Sequence, residues 1–137
     1  MFLVLAGGVG ISYLVWRQLE TKTVTLAAEP AMAQNEEGAM CGNVALQVEA
    51  RTLGLWQFRV AQGQNLSGAM VVQGDEDADI GFRIRTPHNR LLLRDPHRQH
   101  EQHFDIEAPV RGDYVFELDN RHSTMTEKTV VVLLCVA

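Results

Sequence analysis

Three histidines and three aspartates hold the spacings that most invite chemistry. His97, His100 and His103 fall three apart in PHRQHEQH, and imidazole is a common zinc ligand. Ligands at that interval share a face only on a helix, whereas Pro96 and the strand-like neighbours make this stretch a loop or a ragged strand start. The sequence favours a solvated polar loop without metal. Asp75, Asp77 and Asp79 in GDEDADIG imitate the opening of a calcium loop. An EF-hand then needs Gly at position six and Glu at position twelve. Ile80 and Thr86 stand there instead, so this too reads as a polar loop.

No catalytic set emerges. There is no G-x-S-x-G elbow, no phosphate-binding Gly loop and no His-E-x-x-His helix. Neither cysteine has a basic partner nearby in sequence, so the reading is non-enzymatic, with no cofactor. The polar feature that stands out is an arginine series, Arg83, Arg85, Arg90, Arg94 and Arg98, which faces only Asp95 in its own window, just after the acidic Asp75 to Asp79 run. Guanidinium carries a fork of donors suited to carboxylate or phosphate. These five arginines are the expected binding residues, for an acidic protein partner or an anionic membrane surface. The bland alternative is a solvated strand face that pairs internally with Glu101, Asp105 and Glu107.

The chain has 137 residues, 12 basic and 17 acidic, for a net charge of −5. That balance argues against a general nucleic-acid binder, which must neutralise many phosphates. Residues 1–20 form an apolar N-terminal segment, read as a helix or tail. Met1 to Trp16 is apolar apart from Ser12, short of the ~20 residues of a normal span. It lacks the basic start of a secretory signal. Two readings stand: a membrane anchor through residues 2–16, whose flanking Arg17 and Lys22 would keep the downstream side cytosolic, or the remnant of an upstream domain. Residues 21–42 read as a linker and residues 43–137 as one domain, with a core of two layers.

Within that domain the period is two. Val44, Leu46 and Val48 alternate with polar neighbours, and so do Ile80, Phe82 and Ile84 with Gly81, Arg83 and Arg85. Further strands are read around Trp56, Ala69 to Val72, Leu91 to Leu93, and Phe104 to Ile106. Trp56 alternates with Phe58 as if facing the core. Tyr114, Phe116 and Leu118 form a half-buried strand, which Asp119 and Asn120 end. Thr129 to Val136 is almost wholly apolar, as expected of a strand covered on both faces. About eight short strands without a 3.6-residue period predict an all-β fold, an antiparallel β-sandwich of jelly-roll type.

The order of these residues resembles the GOLD (Golgi dynamics) domain. Gly112, Tyr114, Phe116, Asp119, Asn120, Ser123 and Lys128 match its C-terminal pattern, and Asp79, Ile80, Gly81 and Phe82 look like its D-I-G-F segment. The resemblance runs over roughly residues 44–137. It falters before Asp79, where the family has an aromatic strand and this chain has Gly68 and Met70. It implies a non-enzymatic interaction module that binds a protein partner in membrane trafficking. Cargo receptors of the family carry a cysteine inside the aromatic strand, and this chain has none between Tyr114 and Asp119. The reading is therefore a cytosolic adaptor at Golgi or endosomal membranes, close to the adaptor and lipid-transfer-like members, with Cys41 and Cys135 reduced and part-buried, the alternative being that they meet if the first and last strands are neighbours. The rival class is a ligand-binding jelly roll for carbohydrate, anionic lipid headgroup or metal, which exposed Trp would favour.

Overall fold

The computed structural model describes residues 20–74, 78–94 and 97–137. They form ten strands and no helix: β1 Lys22–Leu26, β2 Ala33–Gln34, β3 Met40–Val48, β4 Thr52–Val60, β5 Asn65–Val72, β6 Gly81–Arg85, β7 Leu91–Arg94, β8 Glu101–Glu107, β9 Gly112–Asp119 and β10 Lys128–Val136. Two five-stranded sheets result, ordered β1-β4-β9-β6-β7 (sheet A) and β2-β3-β10-β5-β8 (sheet B). The eight strands from β3 onward match the sequence expectation. The other two come from the stretch read as a linker: β1 runs parallel to β4, and β2 pairs with β3. Their side chains are mostly exposed, so burial imposes no apolar period, and backbone pairing places them with Leu26 alone of β1 packed against the core. The expected N-terminal helix or tail falls in residues 1–19, outside the described residues. Among the described residues no helix is long and apolar enough to cross a membrane.

The alternation in β9 sets the layering. Tyr114, Phe116 and Leu118 are fully buried between the sheets, while Val115, Glu117 and Asp119 point to the outer face of sheet A. Phe116 is the hub of the core, with ring centroids of Trp56, Phe104 and Phe82 at 5.2, 5.7 and 6.0 Å. Phe104 comes from sheet B, so these contacts tie the two layers. Trp56 is buried and its indole N–H donates to Ala28 O at 2.8 Å. That bond holds the segment after β1 down on the core.

β10 does not have both faces covered. It is the centre of sheet B, and its Val130, Val132 and Leu134 face the core, while Leu133 on the other face is 43 % exposed. Thr129, Val131 and Cys135 on that face are half-buried by strand neighbours in register, among them Ala45 and Val71. Gly68 on β5 explains the break from the family's aromatic strand. A Cβ there would sit 1.8 Å from Leu133 O, so the backbone of β10 occupies the space a side chain would need.

The cysteines are not reduced. Cys41 and Cys135 lie directly opposite on β3 and β10 and form a disulfide, with Cα atoms 4.0 Å apart. The pairing follows from β3 and β10 being neighbours, the condition under which the sequence allowed it.

Candidate functional site

The DNxxS…K pattern, singled out above as a family motif, is a piece of internal architecture. Asn120 is fully buried and its side-chain amide N–H groups are shared among Val48 O, Glu49 O and Thr126 O at 2.9 to 3.2 Å. Its Oδ1 accepts a bond from Lys128 Nζ at 3.0 Å, and the same ammonium donates to Asp79 O at 2.9 Å. One amide and one ammonium thus tie the ends of β3, β9 and β10 to the residue that leads into β6. Burial lowers the pKa of Lys128, with Arg98 adding to the effect against the opposing pull of Asp79. Tyr114 donates its hydroxyl to Val110 O and accepts from Val110 N, which pins the turn before β9. Gly112 in that turn has φ 145°, and a Cβ would meet Pro87 Cγ at 2.6 Å. Ile80 and Phe82 are core residues.

The arginine series divides. On the outer face of sheet A, β6 lies beside β9 with Arg83 opposite Glu117. Arg83 and Arg85 both close on Glu117, at 3.1 and 2.6 Å, and Arg83 also reaches Asp119 at 3.5 Å. The two carboxylates of β9 therefore balance these arginines, rather than Glu101, Asp105 and Glu107 on the far sheet. Arg90 is exposed in the β6–β7 turn, held by its backbone bonds to Thr86. Arg94 ends β7 opposite Arg83; its side chain lies outside the described residues. Arg98 follows β7 and meets Asp79 only loosely, at 3.7 Å.

Where β6 begins and β9 ends, the loops around them enclose a cleft of about 410 Å³ lined by Gly81, Arg83, His97, Arg98, Asp119, Arg121 and His122. Arg121 forks onto Asp119 through Nε and Nη2 at 3.0 and 2.8 Å. Burial would raise the Asp119 pKa, but the Arg121 and Arg83 charges and hydrogen bonds outweigh it and hold the carboxyl below its usual value. His122 meets Asp79 at 3.1 Å. Its pKa is lowered by burial first and then by the Arg98 and Lys128 charges, which outweigh Asp79.

The series was visible in sequence, but the cleft was not. Arg121 and His122 were missed because they follow the motif asparagine in a stretch read only as a turn. The available signal was the outward register of Glu117 and Asp119, which marks where carboxylates meet the arginines of the neighbouring strand. The histidine triple does not converge: His100 bonds Ala78 O at 3.0 Å, His103 meets Glu101 on β8, and His97 lines the cleft. Among the described residues no three His, Cys, Asp or Glu side chains group as metal ligands. Asp75 and Asp77 of the calcium-like run lie outside them.

The pattern of the emp24/gp25L/p24 family/GOLD matches residues 46–135. The chain belongs to this family. Its members are non-enzymatic domains that mediate protein interactions on secretory-pathway membranes. No curated protein sequence matches the chain. Among solved structures it is similar to PliG of Aeromonas hydrophila, a periplasmic inhibitor of g-type lysozyme, at 12 % identity and TM-score 0.52, covering 86 % of this chain and 98 % of that one. A PliG mutant from Escherichia coli gives 12 % identity and TM-score 0.50, covering 85 % and 99 %. At such identity the likeness is one of fold.

Proposed function

We propose that this GOLD domain is a non-catalytic docking module of vesicle trafficking at Golgi or endosomal membranes, which captures an acidic protein partner through its arginine-bearing corner. The observation that carries the reading is the division of the arginine series. Arg83 and Arg85 are held by Glu117, whereas Arg90 is exposed and Arg98 is half exposed, bound only loosely to Asp79. The docking charge therefore sits at the β6–β7 turn and the loop after β7, with the β6 pair as its scaffold. Rim charges of this kind steer association and make it salt-sensitive.

The disulfide bears on which side of the membrane the domain works. A cytosolic setting keeps thiols reduced, and a bridge between β3 and β10 is at home in an oxidising lumen. The bridge supports the lumenal side over the cytosolic one, and with it a cargo-receptor-like setting over a cytosolic adaptor. Alkylating the protein as it is recovered from cells, then running it without reductant, reads this directly. Two free thiols would return it to the cytosol.

Changing Arg90, Arg94 and Arg98 together to Ala should leave folding intact and weaken capture of an acidic partner, most at low salt. The rival reading, an anionic lipid headgroup, is favoured by the same charges and predicts a loss of about 1 kcal/mol of membrane attachment per arginine. Partner pull-down and liposome flotation across an ionic-strength series separate the two. A mutant equal to its parent in both assays at low salt would make the corner an ordinary solvated surface. Carbohydrate stacking on Trp56 has no support, since that ring is buried.

A further inference from the structure

The cleft between the start of β6 and the end of β9 holds more than the docking corner requires. Three guanidiniums reach it from three separate elements: Arg83 from β6, Arg98 from the loop after β7, and Arg121 from the β9–β10 loop. His97 and His122 line the same space, and Gly81 contributes bare backbone. The carboxylates around the cleft, among the described residues, do not use up this charge. Among the described residues, Arg83, Arg85, Arg98, Arg121 and the Lys128 ammonium share only Asp79, Glu117 and Asp119. Arg121 spends one N–H each of Nε and Nη2 on Asp119, which leaves the second Nη2 N–H and both N–H groups of Nη1 as donors. Arg98 approaches Asp79 no closer than 3.7 Å, at Nε, with its side chain 54 % exposed.

We propose that this cleft is a binding site for a tetrahedral oxyanion, the phosphate or sulfate ester of a partner protein, seated between Arg98, Arg121 and His122. A carboxylate offers two oxygens in one plane, which a single guanidinium satisfies. Donors arriving from two loops, the one after β7 and the one between β9 and β10, suit a group whose terminal oxygens point in several directions, and arginine forks are the usual readers of such groups. The inference deepens the docking reading, with which it shares Arg98, by naming the group that the corner would recognise.

His122 adds a pH dependence. The groups facing it are Asp79 ahead of β6, Arg98 and His97 after β7, Asp119 and Arg121 around the end of β9, and Lys128 on β10. Its protonation adds a positive charge beside the seat, so an anion of fixed charge should bind more tightly as pH falls. A bound anion should in turn raise the pH at which the ring titrates.

The test needs no partner. The full 137-residue chain, kept in solution with a nonionic detergent, is titrated at constant ionic strength with sulfate, with O-phosphoserine and with acetate, following the NMR signals of Gly81, His97 and His122. Sulfate and phosphoserine should give saturable shifts at these residues, acetate should bind more weakly, and sulfate should tighten between neutral and mildly acidic pH. Arg121→Gln and, separately, Arg98→Gln should each weaken sulfate binding roughly tenfold, the loss of one charge-assisted hydrogen bond. Two variants guard against one of them disturbing the Asp119 pairing. Shifts that never saturate, that are equal in both variants and the parent, or that acetate reproduces with equal affinity would overturn the site. Vesicles carrying a phosphoinositide that bind far more tightly than O-phosphoserine, through the same residues, would overturn the assignment to a protein ester. Loss of partner capture in the Arg90, Arg94 and Arg98 variant with sulfate binding absent from the parent would leave docking standing and remove this inference alone.

Discussion

Asn120 shows how much one side chain can hold. Changing it to Ala strips partners from Val48 O, Glu49 O, Thr126 O and the Lys128 ammonium at once. Each buried polar group left unpaired costs about 1 to 3 kcal/mol, so Asn120→Ala should destabilise the domain by about 3 kcal/mol or more in urea unfolding. A change within experimental error would mean that water replaces the amide freely. Asp119 beside it acts on pH. Its folded pKa lies below the unfolded value, so the stability it contributes is present above about pH 4, the ordinary range of the unfolded carboxyl. That contribution is lost as pH falls through the folded pKa. Asp119→Asn should therefore flatten the acid limb of the stability curve and leave the neutral-to-alkaline slope unchanged. His122 acts in the same direction at higher pH, because its lowered pKa makes the unfolded chain take up the proton first. Residue spacing alone made Asn120 and Lys128 recognisable as a pattern. It could not reveal that their partners are carbonyls at the ends of strands distant in sequence.

At the scale of elements, the strands with a core face were legible and those without one were not. β6 and β9 alternate apolar and polar residues because one face of each is buried, and that alternation placed both. β1 and β2 bury almost nothing, and no period betrays them. β10 misled in the opposite sense. Its Val131 and Leu133 are apolar although they face outward, so an apolar run did not mean burial on both sides. The N-terminal strands still contribute. Residues 20–39 supply the fifth strand of each sheet and the carbonyl that satisfies the Trp56 indole. A chain starting at Met40 should remain β-rich, with a lower midpoint of thermal unfolding and a red-shifted tryptophan emission. An unchanged midpoint would show β1 and β2 to be passengers.

Across the whole molecule, two layers are joined by the aromatic contacts around Phe116, by the Asn120 and Lys128 network, and by β3, which enters β4 of the opposite sheet through the turn at Arg51. The polar cleft lies where these joints leave the loops at the end of β9 room to carry charge without carrying the fold. That separation lets the charged residues of the cleft change while the core stays constant. Replacing both Cys41 and Cys135 by Ser should cost about 2 to 4 kcal/mol, the usual range for a native bridge. The strands stay paired by their backbone ladder, so a folded protein with a lower unfolding midpoint is the expected outcome.

The same bridge decides how the domain would respond to tension. A pull applied between residue 20 and residue 137 travels along the chain to Cys41, crosses to Cys135 and leaves through the last two residues. The 94-residue separation between the cysteines never enters the load path while the bond is intact. Only the short N-terminal strands can be peeled, and the sandwich behind the bridge feels no stretching force along its own chain. Cutting the bond with a reductant would put the sandwich itself under load, and its unfolding would then release about 330 Å of contour at about 3.5 Å per residue, a step that single-molecule pulling resolves. Under a pull of that kind, the covalent crossing makes this sandwich a link of fixed length.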